Sequence, residues 1–134
     1  MKIVYIDYSE KYYREFAGTD VPAQFTGKFI QVRNLLTEYL IFSPKEFTLY
    51  HADIVERFCT ERQIPGIYNK TNKSYDILDP EWIVAGGGKF AIDRQKKNIH
   101  LYDDSMAYGK FDKNEMKEKV LSIKDFSGYE VRID

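Results

Sequence analysis

Three short stretches hold the residues whose types and spacing could do chemistry, and in each case the chemistry concerns an anion. His51 stands where a strand-rich segment gives way to a helix read over residues 51–63. An imidazole titrates near neutrality and can accept a proton or attack as a nucleophile, and the free N–H groups of a helix start attract anions. A histidine beside an anion is what phosphate chemistry requires; the plain alternative is a histidine that caps or packs at a helix start. Gly86-Gly87-Gly88-Lys89 comes next. Three glycines permit positive φ or the close approach of another group, and Lys89 follows as a held cation. This is not a phosphate-binding loop of the Walker type, because Ile83 stands where its first glycine should be and Phe90 where Ser or Thr should be. A β-bulge or tight bend in a sheet is the alternative. In Ser105-Met106-Ala107-Tyr108-Gly109 the small residues at 105, 107 and 109 allow a loop whose amides converge on an anion, with the Ser105 hydroxyl as a further donor.

Other chemistries are less well served. His51, Asp53, His100, Asp103 and Asp104 could be imagined around a metal, but there are only two histidines, and strand alternation sends Asp103 and Asp104 to opposite faces. No metal and no cofactor is expected. Cys59, the one cysteine, falls on the apolar face of the first helix with Ile54, Val55 and Phe58, where a thiolate is disfavoured. His100 is expected on a sheet face. The formal net charge of -1 argues against a dedicated nucleic-acid binder, and the eleven tyrosines and nine phenylalanines are spread through strand-like segments, where they pack. No stretch approaches the ~20 apolar residues of a membrane-spanning helix, and the first residues lack the pattern of a signal peptide. A cytoplasmic protein without nucleic-acid or membrane partners is expected.

The elements that must position these residues can be read in outline. With 43% apolar residues in 134, the chain can bury one core without disulfides or metals. Residues 1–8 read as a strand and 9–27 as an irregular connection with a short helix. Residues 28–42 suit one long strand or a hairpin with a weak turn near Arg33-Asn34, and Ser43-Pro44-Lys45 ends the run. After the first helix, Pro65-Gly66 stops it and 69–74 form a polar, mobile loop. Residues 81–85 and 89–93 read as two strands separated by the glycines, and 98–103 as a half-buried strand. A second helix is read over 113–123, opened by a capping pair of Asp112 and Glu115; residues 129–133 close the chain as a strand. The fold class is α/β (α+β): a single domain over residues 1–134, a mixed sheet with two main helices.

Taken together and in this order, Tyr50-His51-Ala52-Asp53-Ile54, Gly86-Gly87-Gly88-Lys89, Lys97-Asn98-Ile99-His100-Leu101-Tyr102 and Ser105-Met106-Ala107-Tyr108-Gly109 resemble the phosphohistidine phosphatase (Janus/Ocnus) family. Lys28, opening the strand Lys28–Arg33, looks like that family's substrate-binding lysine, and Tyr129-Glu130-Val131 like its last strand. The resemblance covers roughly residues 28–133 and leaves 1–27 outside. It implies a metal-independent phosphatase acting on phosphohistidine-containing protein; a monomer is expected. His51 would be base or nucleophile. Lys28, Lys89, Gly88, Lys45, Ser105, Met106 and Ala107 would bind phosphate, Ala107 through its backbone. Two positions depart from the pattern: Lys89 replaces an arginine, keeping the charge but losing the bidentate fork, and Ser43 stands where an arginine is common. A non-catalytic phosphoprotein-binding module and a broader phosphoramidase acting on phospholysine are the alternatives.

Overall fold

The computed structural model describes residues 1–134. Eight strands alternate with two α-helices: β1 (Lys2–Asp7), β2 (Gln24–Asn34), β3 (Thr37–Pro44), α1 (His51–Arg62), β4 (Gly66–Asn69), β5 (Ser74–Ile77), β6 (Trp82–Asp93), β7 (Asn98–Tyr102), α2 (Met116–Leu121) and β8 (Glu130–Ile133). A π-helix over Lys11–Ala17 and a 3₁₀ turn over Lys124–Phe126 complete the chain. The strands form a six-stranded mixed sheet in the order β1-β3-β2-β6-β7-β8, and β4 and β5 pair as a separate hairpin. The architecture is the expected α+β single domain.

The central strands have both faces covered, which explains their near-continuous apolar sequence. On one face Phe29, Phe42, Phe90 and Leu101 pack with Met116 and Val120 of α2. On the other Ile30, Val32 and Ile41 pack with Ile54, Val55, Phe58 and Cys59 of α1. β2 therefore sends alternate residues into two cores, Phe29 into one and Ile30 into the other. His51 opens α1 and so is set down on the second face.

Several local expectations change. The long apolar run is a hairpin, but its turn lies at Leu35-Leu36, just past the expected place, with Leu35 at φ 52. The triple glycine does not break the sheet: β6 runs through it and stays paired with β2, and the bulge weighed as the alternative falls at its first glycine, where Gln31 faces Gly86 and Val32 faces Val84. The polar stretch 69–74 is the tip of the β4–β5 hairpin, and the Asn69 side chain accepts the N–H groups of Thr71 and Asn72. The second helix is shorter than expected and starts at Met116. Asp112 does not cap it; its carboxylate takes the Asn114 N–H and the Arg33 guanidinium instead, while Glu115 turns left-handed at φ 58. Residues 1–27 are part of the domain: β1 adds in parallel to β3, from Lys2 opposite Thr37 to Asp7 opposite Phe42.

Candidate active site

The strand register lines up the polar floor of the site. Lys28 lies opposite Ser43 on one side and Lys89 on the other, and Lys89 lies opposite Tyr102. Directly opposed residues share a face, so Ser43, Lys28, Lys89 and Tyr102 form one row, on the face that carries α1. Lys89 is held at 3.0 Å by Asp103. Lys28 is half-buried and makes no ion pair. Burial and the neighbouring Lys89 lower its pKa, against an opposing pull from Asp53.

His51 reaches this floor from the first turn of α1. The preceding Tyr50 is extended, and the Asp53 carboxylate accepts its N–H at 3.1 Å, which starts the helix at His51. His51 is 7% exposed, and its Nε2 lies 2.8 Å from the Gly88 carbonyl oxygen. A carbonyl only accepts, so Nε2 carries the hydrogen and, in the neutral ring, Nδ1 carries the lone pair. Nδ1 has no partner within the chain. Burial pushes the imidazole below its ordinary pKa; the Gly88 bond opposes this, and the charges of Lys28 and Lys89 add to it. The ring is therefore neutral at pH 7, the form that can take a proton or attack phosphorus.

The glycines are explained by approach. A Cβ on Gly87 would stand 2.9 Å from His51 Cδ2 and 2.8 Å from the Phe29 carbonyl oxygen. Gly86 has φ +146, and a Cβ there would meet the Lys110 carbonyl oxygen at 2.4 Å. Imidazole and loop can lie against β6 only because these side chains are missing.

Residues 105–111 form that loop. Ser105 and Gly109 exchange backbone bonds, Gly87 N–H donates to the Gly109 carbonyl, and Phe111 N–H to the Gly87 carbonyl. Ser105 Oγ is buried and accepts the Tyr108 N–H at 3.2 Å, so its hydroxyl works first as a turn former and keeps its own proton to donate. The Tyr108 hydroxyl accepts the Tyr75 N–H at 2.7 Å and donates to the Tyr75 carbonyl at 2.9 Å, tying the loop to the β4–β5 hairpin. The amides of Met106 and Ala107 have no acceptor in the chain. The Met106 side chain projects fully into solvent, so only its backbone can serve an anion.

The structure thus brings His51, Lys28, Gly88 and Lys89 together and pins the 105–109 loop to the same strand. Lys45 is not gathered with them; it lies one row further along, where its N–H bonds the Thr26 carbonyl. Ser43 is buried and shares a hydrogen bond with the Thr48 hydroxyl, which also takes Arg57 Nη1 at 3.3 Å. Cys59 is fully buried, its thiol pushed up to about 11 by burial. The imagined metal ligands are dispersed: Asp53 caps α1, Asp103 holds Lys89, and His100, on the sheet face, bonds Asp134 at 2.6 Å. No group of three or more such side chains converges. No helix is long and apolar enough to cross a membrane. The supporting contacts that sequence could not point to are the Tyr108–Tyr75 pair and the Lys89–Asp103 ion pair, because both join segments with no shared pattern.

No curated protein matches the chain in sequence. Residues 28–130 match the model of the Janus/Ocnus family (Ocnus), and the chain belongs to that family.

Proposed function

We propose that this Janus/Ocnus protein removes the phosphoryl group from phosphohistidine in proteins, with His51 as the reacting side chain. The observation that carries the proposal is the buried imidazole of His51, whose Nε2–H is fixed on the Gly88 carbonyl and leaves Nδ1 without a partner, at a helix start set on the sheet face that carries Lys28 and Lys89. Phosphoryl transfer has a loose transition state, so positioning and charge stabilisation do most of the work. Lys28 and the amides of Met106 and Ala107 hold the phosphoryl oxygens. His51 Nδ1 takes a proton from water as the water oxygen bonds to phosphorus. The P–N bond breaks, the departing imidazole leaves neutral by taking a proton from solvent, and His51 returns its own proton to solvent. Direct attack by Nδ1 is the variant of the same chemistry: a new P–N bond forms on His51 as the old one breaks, the departing imidazole takes a proton from solvent, and water then cleaves the new bond to give phosphate and neutral His51.

A second reading rests on the ion pair of Lys89 with Asp103 and on the uncharged Ser43. With Lys89 partly neutralised the site offers less charge to a transition state, and the protein would bind phosphohistidine without turning it over. Phosphate release from a phosphohistidine-containing protein, measured in chelator beside phospholysine and phosphoserine proteins, decides between them. Release from phosphohistidine alone is the expected result. Equal release from phospholysine would widen the activity to a phosphoramidase, and binding without release would leave a recognition module.

A further inference from the structure

A groove of about 640 Å³ opens on the same sheet face, next to the Lys28–Lys89 row. Its floor is the neighbouring row of the sheet, Thr26 opposite Ala91 and Ala91 opposite His100. Two residues along a strand span about 7 Å, so floor and phosphate site are adjacent. One wall comes from Tyr13 of the π-helix and Glu46 of the β3–α1 connection, joined by a hydrogen bond from the Tyr13 hydroxyl at 3.3 Å. Tyr12 and Phe16 of the same segment pack on Phe47, which fixes this wall close to the chain leading into His51. The next row of the floor carries Asp93, opposite Gln24 and Asn98, and its Oδ2 takes the Gln24 amide at 2.9 Å. Tyr13 and Gln24 lie before residue 28, outside the part of the chain that matches the family.

The charges differ between the two compartments. Glu46 and Asp93 accept only from neutral or backbone donors and make no ion pair, so with Lys45 the groove keeps one net negative charge. The row beside it carries the two lysines. A ligand that suits both has a phosphoryl group at one end and a cation a residue or two away.

We propose that this groove seats the polypeptide flanking the phosphohistidine, and that Glu46 and Asp93 select a lysine or arginine there; the proposal rests on the phosphohistidine reading above. The substrate is then a protein segment with a basic neighbour, and the N-terminal segment, through Tyr13 on Glu46 and Gln24 on Asp93, positions the two carboxylates that select it. The test compares free phosphohistidine with two phosphohistidine peptides, one flanked by lysine and one by glutamate, on the native chain and on Ala91→Phe and Glu46→Lys. Ala91→Phe fills the floor, and the exposed Glu46→Lys reverses a wall charge with little risk to folding. For the lysine-flanked peptide kcat/KM should fall at least tenfold in both variants, through KM, with free phosphohistidine within twofold of native. Glu46→Lys should also lose the native preference for lysine over glutamate. Equal treatment of the two peptides by the native chain, or an equal loss on peptide and free phosphohistidine, overturns the proposal. If the native chain hydrolyses none of them, the phosphatase reading fails, and binding of the lysine-flanked peptide with a non-hydrolysable phosphohistidine analogue judges the groove. Tenfold weaker binding in Ala91→Phe sustains it; unchanged or undetectable binding overturns it.

Discussion

At His51, one hydrogen bond and burial decide the protonation state, and pH reads it directly. The folded imidazole has a pKa below its ordinary 6.5, so kcat/KM should hold from pH 7 downward and fall only below 6.5, which a pH–rate profile measures. The sign for stability follows from the same shift. Above 6.5 the ring is neutral whether folded or not, and nothing is lost. Below 6.5 the unfolded chain takes up the proton and the folded one resists, so the His51 contribution to stability falls as pH drops. Lys28 acts on binding: Lys28→Met removes the cation that makes no ion pair, and should raise KM for phosphohistidine protein about tenfold or more with the melting temperature near native. Unchanged kinetics would remove Lys28 from the site. Gly87→Ala tests the fit of the ring, since its Cβ meets the imidazole and a backbone oxygen at contact distances no relaxed structure keeps. Overpacking typically costs about 1–3 kcal/mol, and denaturant unfolding should show that loss together with a drop in activity.

Among the elements, the loop 105–111 depends on β6 for its backbone bonds and on the β4–β5 hairpin for Tyr108. Tyr108→Phe removes both bonds to Tyr75 and leaves a partly buried N–H without its acceptor, a change that costs about 1–3 kcal/mol. The expected outcome is lower stability with weaker phosphate binding; a stable variant with native KM would show that the hairpin does not hold the loop. How legible these elements were depends on the range of the forces that shape them. α1 was readable because Ile54, Val55, Phe58 and Cys59 repeat at helical spacing, and β7 because Ile99 and Leu101 alternate inward. The continuity of β6 through its glycines was hidden: residues on β2 and the facing loop require those glycines, and nothing in the local sequence says so. The Asp112–Glu115 pair misled for a similar reason, since Arg33, distant in sequence, takes the Asp112 carboxylate. Of the site, His51 and the glycines were legible by type, while the displacement of Lys45 from it depended on strand register.

For the whole molecule, the two cores on opposite sheet faces make the N-terminal segment structural as well as a groove wall. β1 covers the edge of β3, and Tyr5 packs edge-on against Phe42 and Phe126. Removing residues 1–22 should expose that edge, lower the unfolding midpoint and promote association through the bared strand, which denaturant titration and light scattering would detect. A truncated chain as stable and monodisperse as the native one would contradict this. A second determinant of global stability lies on the α2 side. Glu38 has no exposure and is held by Arg33 at 2.7 Å and Lys119 at 3.0 Å. Burial would raise its pKa, but Arg33, Lys119 and Gln31 outweigh burial and the net shift is downward. A lowered carboxylate stabilises the fold above its unfolded pKa, and that contribution is lost as pH falls through the folded value. Native chain should therefore lose stability in the acid range, and Glu38→Gln should lose less of its own over the same range.

The role of His51 is tested by single-turnover phosphate release from phosphohistidine protein by the native chain and by His51→Ala, in chelator, with melting curves run alongside. A loss of at least about 10²-fold, the lower end of what general-base help supplies, is expected in a variant that melts as a folded protein. A folded His51→Ala chain that retains activity within a few-fold of native would contradict it.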